Sequence, residues 1–457
     1  MRDLTQGSIT RHLLGMAAFI GVGMIVQTLY FLVDLYFVSH LGEHAIAGVS
    51  TAGPAWMVVM ALSQTIAVGA LALISQALGR KDDADAGRVF NQTVGMSLCT
   101  SLLVLVLGYS LGPIALGALG ADAETVAAGR SYLTFFLPSL ALMFPMAALG
   151  TALRAAGVAG PPMMIQTGSV AVNAALAPVL IAGWGTGRPM GVAGAGLAST
   201  IAVAAALAVT LLLFTRMQSR LKLERAEIKP QLKTWSRILG IGLPSGGEFL
   251  LMAVIASVVY AVIRDYGAHA QAGFGVGSRV MQSIFLPAMA VAFAAAPIAG
   301  QNFGARQAAR VRETFRQSAL IGGAIMVGLT LLCQISPELL VRPFVQEPQA
   351  AAVAAAFLRI ASWNFVATGL VFTCSGMFQA LGDTRPAFFS SASRLLTFVA
   401  PALWLTHQPG VPLETFWKLS VASVFMQALL SIGLLRLQLR KKLDQPVAAE
   451  VAPAPAG

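Results

Sequence analysis

Two carboxylates stand in stretches that are otherwise apolar, Asp34 in TLYFLVDLYFV and Glu248 in GLPSGGEFLLM. The rest of the 19 acidic residues fall in loops, at segment ends or in the C-terminal tail. A charge at the centre of a bilayer costs about 2.5–3.5 kcal/mol even on a forgiving insertion scale, so such residues ordinarily face a protein interior or a water-filled cavity. Helical spacing sets Gly23, Gln27, Tyr30 and Asp34 on one face and turns Leu29, Leu32 and Val33 elsewhere. That face is able to line a polar cavity in which a carboxyl takes up and releases a proton or a small cation. A carboxylate that merely bonds a neighbouring helix is the alternative. Glu248 follows Pro244, Gly246 and Gly247, residues that bend or loosen a helix and free its carbonyls. Its alternative is a helix-start carboxylate near the inner membrane interface.

The surroundings of these acids require a membrane. Of 457 residues, 57% are hydrophobic and 11% charged, with a mean hydropathy of +0.76, too little polar surface to close a water-soluble globule of this length. A helix needs roughly 20 apolar residues to cross the hydrocarbon core. Such runs are expected near 13–38, 46–77, 90–118, 126–152, 162–184, 192–215, 237–263, 270–300, 315–336, 351–378, 387–406 and 412–436.

A fixed interval of 225 residues relates the two halves of this pattern. It pairs LGEHAIAGVS, starting at Leu41, with YGAHAQAGFG, starting at Tyr266, and without a gap pairs Gln76 with Gln301, Gly79 with Gly304, Gly157 with Gly382 and Pro161 with Pro386. So long a period marks a duplicated domain, and six spans per copy give both copies the same topology. The expected fold is therefore an all-α membrane protein of twelve transmembrane helices in two pseudo-symmetric six-helix lobes. Residues 1–216 form the first lobe, 217–236 a basic cytoplasmic connector, 237–442 the second lobe and 443–457 a disordered Pro- and Ala-rich tail.

Charge orients the chain. Of 30 Lys and Arg, 22 lie at the termini and even-numbered loops, 6 on the opposite side, and Arg279 and Arg394 within spans. Cytoplasmic loops collect Lys and Arg, so both termini are expected in the cytoplasm of a bacterial inner membrane. The net charge of +11 is thus a topology signal and not a nucleic-acid-binding face. In the connector, basic residues interleave with Leu221, Leu223, Ile228, Leu232 and Trp235, a pattern suited to lying along an anionic leaflet. Arg279 and Arg394 lie inside or near span ends; Arg279 has Gln282 one turn away and could face a cleft, although snorkelling toward the interface is the plainer reading. Cys99, Cys333 and Cys374 read as packing residues, and His44 and His269 as loop residues.

The stretch Gln27 to Gly48 resembles the first-span signature of the multidrug and toxic compound extrusion (MATE) family. So do Gln76 to Gly79 and its echo Gln301 to Gly304, Leu153 to Pro161 (LRAAGVAGP) and Phe378 to Pro386 (FQALGDTRP). The resemblance implies a secondary active multidrug exporter, not an enzyme, that antiports amphipathic, cationic organic compounds against H⁺ or Na⁺ by alternating access. It implies that Asp34 is the essential first-span carboxylate, and that Asn173, Ser199 and the adjacent Thr200 help form its ion site, with any Na⁺ held at Asp34 and Asn173. Read from the residues alone, Asn173 and the hydroxyls could equally be interhelical glue. The substrate cavity is expected to include Gln27, Tyr30, Asp34, Glu248 and Gln282. No cofactor beyond the coupling ion is expected, and the partners are drug-like molecules and the lipid bilayer, with the chain a monomer.

Three departures qualify the resemblance. Ala177 stands where a second fifth-span acid is frequent, Phe19 where a first-span proline is frequent, and Asn364 and Thr368 occupy a region where some members carry Asp. One competing reading is a flippase for a lipid-linked saccharide, which needs more cationic side chains inside the spans. A more distant one is a membrane-embedded prenyltransferase-like enzyme using the run KDDAD at Lys81 to Asp85 to grip a metal-bound pyrophosphate.

Overall fold

The structure, a computed structural model, describes residues 3–39, 41–50, 53–118, 123–185, 187–216, 221–344 and 347–443; within its helices the side chains at 30–35, 39, 43, 44, 54, 113 and 115–118 lie outside that description. Among the described residues the secondary structure is all-helical, and twelve helices are long and apolar enough to cross a membrane. In chain order these first to twelfth spans are Ile9–Ser39, Gly53–Gly79, Asp83–Ala118, Ala123–Ala155, Gly160–Ile181, Val192–Arg216, Leu232–Arg264, Ala268–Gly304, Ala308–Ile335, Pro348–Ala380, Arg385–Thr406 and Leu413–Leu443. Their number is as expected. Several reach further than the apolar runs, the third starting at Asp83, the seventh at Leu232 and the ninth at Ala308. The extra turns carry charge at their ends and so escape a criterion based on apolarity.

The 225-residue interval reappears as a reciprocal contact between the copies. A Cβ at Gly79 would lie 2.0 Å from the carbonyl oxygen of Gln301, and one at Gly304 would lie 2.1 Å from that of Gln76. Only glycine permits two helix backbones to come so close. The same glutamines complete the pairing with their side chains: Gln76 Nε2 donates to Ala380 O at 2.8 Å, and Gln301 Nε2 donates to Ala155 O at 2.7 Å. Both helices then stop in the same way. Lys81 and Arg306 take left-handed φ values of 60° and 58°, and the next amides return to the helix, Asp82 N to Ala77 O at 3.0 Å and Gln307 N to Asn302 O at 2.9 Å.

Further contacts between the copies lie on this same side, called here the connector face. The second span packs against the seventh, where a Cβ at Gly242 would lie 1.8 Å from Thr65 O and one at Gly69 would lie 2.1 Å from Ile238 O. Leu13, Met16, Ala17 and Ile20 of the first span bury against Ala290, Val291, Ala294 and Ile298 of the eighth. Leu4, fully buried, is pinned by Gln301 Oε1 accepting from its amide at 3.0 Å, and by Asn302 Nδ2 and Arg310 donating to its carbonyl at 3.1 and 3.2 Å. Toward the opposite face, Ile25 and Leu29 of the first span, Met57 and Val58 of the second, and Leu250, Met252, Val254 and Tyr260 of the seventh are exposed.

The connector packs against the first lobe. Asn91 and Gln92, at the start of the third span, clasp it through both amide ends: Asn91 Nδ2 donates to Lys222 O at 2.9 Å, Asn91 Oδ1 accepts from Glu224 N at 2.9 Å, and Gln92 Oε1 accepts from Gln231 N at 2.8 Å. Leu221 is buried in the first lobe's core and Ile228 O abuts Gly95, while Leu223 and Leu232 are exposed. The alternation of basic and apolar residues therefore fits a protein groove. Residues 217–220 and the tail at 444–457 lie outside the described residues.

Gly79→Ala and Gly304→Ala are expected to lower the thermal midpoint of the purified protein, in line with an overpacking cost of about 1–3 kcal/mol. Gly240→Ala, whose Cβ would meet nothing within 4 Å, is expected to leave it unchanged or raise it slightly. Tryptophan-fluorescence melting distinguishes the two.

Candidate functional site

The first lobe joins two of the residues singled out from sequence. Asn173, on the fifth span, and Ser199, on the sixth, are both completely buried, and Asn173 Nδ2 donates to Ser199 Oγ at 3.3 Å. The small residues of the sixth span explain the approach, since Gly194 lies against Leu180 O of the fifth span and Gly196 against Tyr132 O of the fourth. Two neutral oxygens held in an apolar wall in this way can complete the shell of a small cation or bond a protonated acid. Thr200 turns elsewhere and donates to Phe135 O of the fourth span at 2.5 Å. Asp34 and Tyr30 lie on the first-span helix, but their side chains are outside the described residues. Gln27, one turn before Tyr30, is half-buried. Ala177, where a second acid was looked for, is fully buried in an apolar cluster with Tyr132, Ile181 and Ala195.

The second lobe contains the larger polar assembly. Glu248 is near the middle of the 33-residue seventh span, not at a helix start as the alternative reading had it. Nor do its neighbouring glycines open the helix, which runs unbroken through Pro244; Gly242 and Gly246 admit Thr65 of the second span instead. Glu248 Oε1 accepts from Ser391 Oγ at 2.7 Å, and Ser391 Oγ accepts in turn from Gln427 Nε2 at 3.2 Å. Each donor in this chain polarises the next, so that the three side chains form one linked series. Beside it, Ser390 Oγ meets Ser431 Oγ at 2.5 Å and Gln427 O at 3.2 Å, and two turns further Thr397 Oγ1 meets Ser423 Oγ at 2.7 Å. The eleventh and twelfth spans are thus joined along a seam of hydroxyls and amides about 10 Å long, taking 1.5 Å per residue from Ser390 to Thr397.

Arg394 sits in this seam and does not snorkel. It is the tenth residue of the eleventh span, which runs from Arg385 to Thr406. Leu396 and Phe389, both strongly exposed, point in roughly the opposite direction at 100° per residue. The guanidinium lies over the buried ring of Phe398, 5.7 Å from its centroid, with NH2 3.4 Å from Ser420 Oγ. Directly after it the helix widens into a π turn over Leu395–Val399. A signal for the seam was present in the sequence as polar residues at helical spacing, Ser390, Arg394 and Thr397 on one span and Ser420, Ser423, Gln427 and Ser431 on the next. Arg279 and Gln282 are both exposed on the eighth span, on the side of Gly275, whose nearest side-chain atom across the gap is the Tyr260 hydroxyl of the seventh span at 3.9 Å.

The other sequence features are structural. Asp85 of the KDDAD run bonds Arg80 at 3.0 Å and Arg237 at 3.2 Å, while Asp82 Oδ1 accepts from the Asp85 amide at 2.9 Å. Among the described residues no three His, Cys, Asp or Glu side chains are grouped to hold a metal ion. His269 is not a loop residue but lies in the first turn of the eighth span, where it pairs with Glu347 at 2.7 Å; the side chain of His44 lies outside the described residues. Cys333 and Cys374 are buried, whereas Cys99 is exposed.

Comparison with known proteins gives one consistent result. The MatE family model matches twice, over residues 20–179 and 244–404, so that the two matches stand in nearly the same interval as the internal repeat. The multidrug export protein MepA of Staphylococcus haemolyticus (strain JCSC1435) is 25% identical over 447 residues, covering 98% of each chain. MepA of Staphylococcus aureus (strain MRSA252) is 24% identical over 418 residues, covering 91% of each. A solved outward-facing conformation of a multidrug resistance MATE family transporter superimposes with a TM-score of 0.90 at 21% identity, over 97% of this chain and 98% of that one.

Because Ser391 and Gln427 act on Glu248 in series, removing either breaks the same chain. Ser391→Ala and Gln427→Leu are each expected to destabilise by about 0.6–1.7 kcal/mol, and the double variant by less than their sum. A double-mutant cycle on thermal or denaturant unfolding measures that coupling.

Proposed function

The chain belongs to the MatE family, and on that premise we propose that it exports amphipathic organic cations from the cell in exchange for H⁺ or Na⁺. It is an integral membrane protein of a transporter family and not an enzyme. The observation that carries the export reading is the one-sided contact between the copies. Gly79, Gln301, Gly304 and Gln76 seal the connector face, while exposed apolar side chains of the first, second and seventh spans flank the opposite face. That arrangement suits the outward-facing half of an alternating-access cycle, with both termini in the cytoplasm. The likeness to MepA, named as a multidrug export protein, supports the substrate class.

In the proposed cycle Asp34 binds the coupling ion from outside, and Asn173 and Ser199 supply the neutral partners between the fifth and sixth spans. Ion binding reorganises the first lobe and releases substrate, after which the emptied carrier turns inward. Glu248 contributes a negative end to the substrate cavity in the second lobe. A membrane potential of 100 mV is worth about 2.3 kcal/mol per net charge moved, so two inward ions exchanged for one outward monovalent cation sustain a concentration ratio of roughly fortyfold from the potential alone. The transporter acts as a monomer, because each chain already contains both lobes and both polar sites.

Efflux of ethidium from proteoliposomes under separately imposed H⁺ and Na⁺ gradients tests this reading. Asp34→Asn is expected to abolish gradient-driven efflux under the effective ion, and Glu248→Gln to reduce it while retaining the ion dependence. Undiminished gradient-driven efflux by Asp34→Asn would overturn the coupling assignment. If wild type moves a labelled lipid-linked sugar and no cationic drug, a flippase replaces the exporter.

A further inference from the structure

The second lobe contains a cation for which the export cycle above has no use. Arg394 lies mid-span, where a charge is expensive, yet among the described residues no carboxylate is within ion-pairing distance of it. Its Nε is buried and, among the described residues, has no hydrogen-bond partner. A guanidinium offers five N–H donors in a planar fork suited to a carboxylate or phosphate, and among the described residues one bond is made, the long contact to Ser420 at 3.4 Å. The ring of Phe398 supports one side of the fork without using its donors. Helical position supplies the other half of the geometry. Arg394 and Ser391 are three residues apart and share a face of the eleventh span, and Ser391 donates to Glu248. The seam therefore presents a carboxylate and, about one turn along, an incompletely bonded guanidinium.

The position is specific to the second copy. One repeat interval earlier stands Ser169, whose hydroxyl is spent on Gln166 O at 2.8 Å, and the fifth span runs there as an uninterrupted α-helix. In the eleventh span the π turn over Leu395–Val399 begins at the residue after Arg394. Such one-turn widenings inside an α-helix recur at functional sites because they re-aim the side chains beside them.

We propose that Arg394 is the docking point for an acidic group on the transported molecule, so that the second lobe accepts zwitterionic amphiphiles, their cationic end toward Glu248 and their carboxylate on the guanidinium. This rests on the export reading and extends its substrate class. Rhodamine 110, a zwitterion, and its methyl ester rhodamine 123, a cation, share one ring system and differ only at that acidic group. Equilibrium binding of both, by fluorescence anisotropy on the purified protein in nanodiscs, is measured for wild type, Arg394→Gln and Arg394→Lys. The expected result is that Arg394→Gln weakens binding of the acid at least tenfold and of the ester less than twofold. Arg394→Lys, which keeps the charge but loses the fork, falls between. Retained binding of the ester reports that each variant is folded. Equal weakening of both ligands, no change in either, or failure of wild type to bind the acid overturns the proposal. Failure of the export reading itself would appear separately, as absence of gradient-driven movement of the ester in proteoliposomes.

Discussion

The backbone contact of Gly79 with Gln301, repeated by Gly304 with Gln76, is the constraint on which the rest of the molecule depends. In lipid no hydrophobic force draws one apolar helix to another, so association relies on close packing and interhelical hydrogen bonds. This contact provides both, because the glutamines whose carbonyls meet the glycines also send their side chains to Ala380 O and Ala155 O. It joins two covalently linked copies across a pseudo-twofold axis through the connector-side ends of the second, fourth, eighth and tenth spans. Further from that face, each lobe is held by its own interior. The polar clusters at Asn173 and at Glu248 lie within single lobes and so can change without breaking the seal directly.

Symmetry of the scaffold makes the asymmetry of its charge informative. The repeat pairs Asp34 with Val259, Glu248 with Gly23, and Arg394 with Ser169. At Gly23 the missing side chain is replaced by packing, since a Cβ there would meet Met163 Sδ of the fifth span at 2.4 Å. In the first lobe the described part of the candidate site is small and neutral, an amide and a hydroxyl between two helices. The second lobe has a polar seam with charges of both signs. One duplicated unit has thus diverged into a lobe with a small amide–hydroxyl pair and a lobe with a long polar seam.

Legibility from sequence followed the physics of each feature. The twelve spans were readable because hydrocarbon imposes length and composition together, and the repeat because no gap interrupts it as far as Pro161 and Pro386. Asn173 and Ser199 were identified and meet; Thr200, adjacent in sequence, turns to the fourth span because neighbouring helix positions point about 100° apart. In the connector, an alternation of basic and apolar residues does not say whether its apolar side meets lipid or protein, and Leu221 meets protein while Leu223 and Leu232 are exposed. The inward face of Arg394 was missed because depth within a span does not reveal which way a side chain points. Only its periodicity with Ser390 and Thr397, against the matching series on the twelfth span, could have indicated an inward face.

Reciprocal motion of the lobes about the glycine–glutamine seal is tested most directly by distances between spin labels in nanodiscs under transport conditions. One pair, at Lys81 and Arg306, reports the connector face, and a second, at Trp184 and Gln408, reports the opposite face; all four positions are exposed. On adding ethidium and the driving ion, the expected result is a population in which the first pair has moved apart and the second has come together. Movement of both pairs in the same direction, or no change in either while ethidium is being transported, would contradict alternating access through this seal.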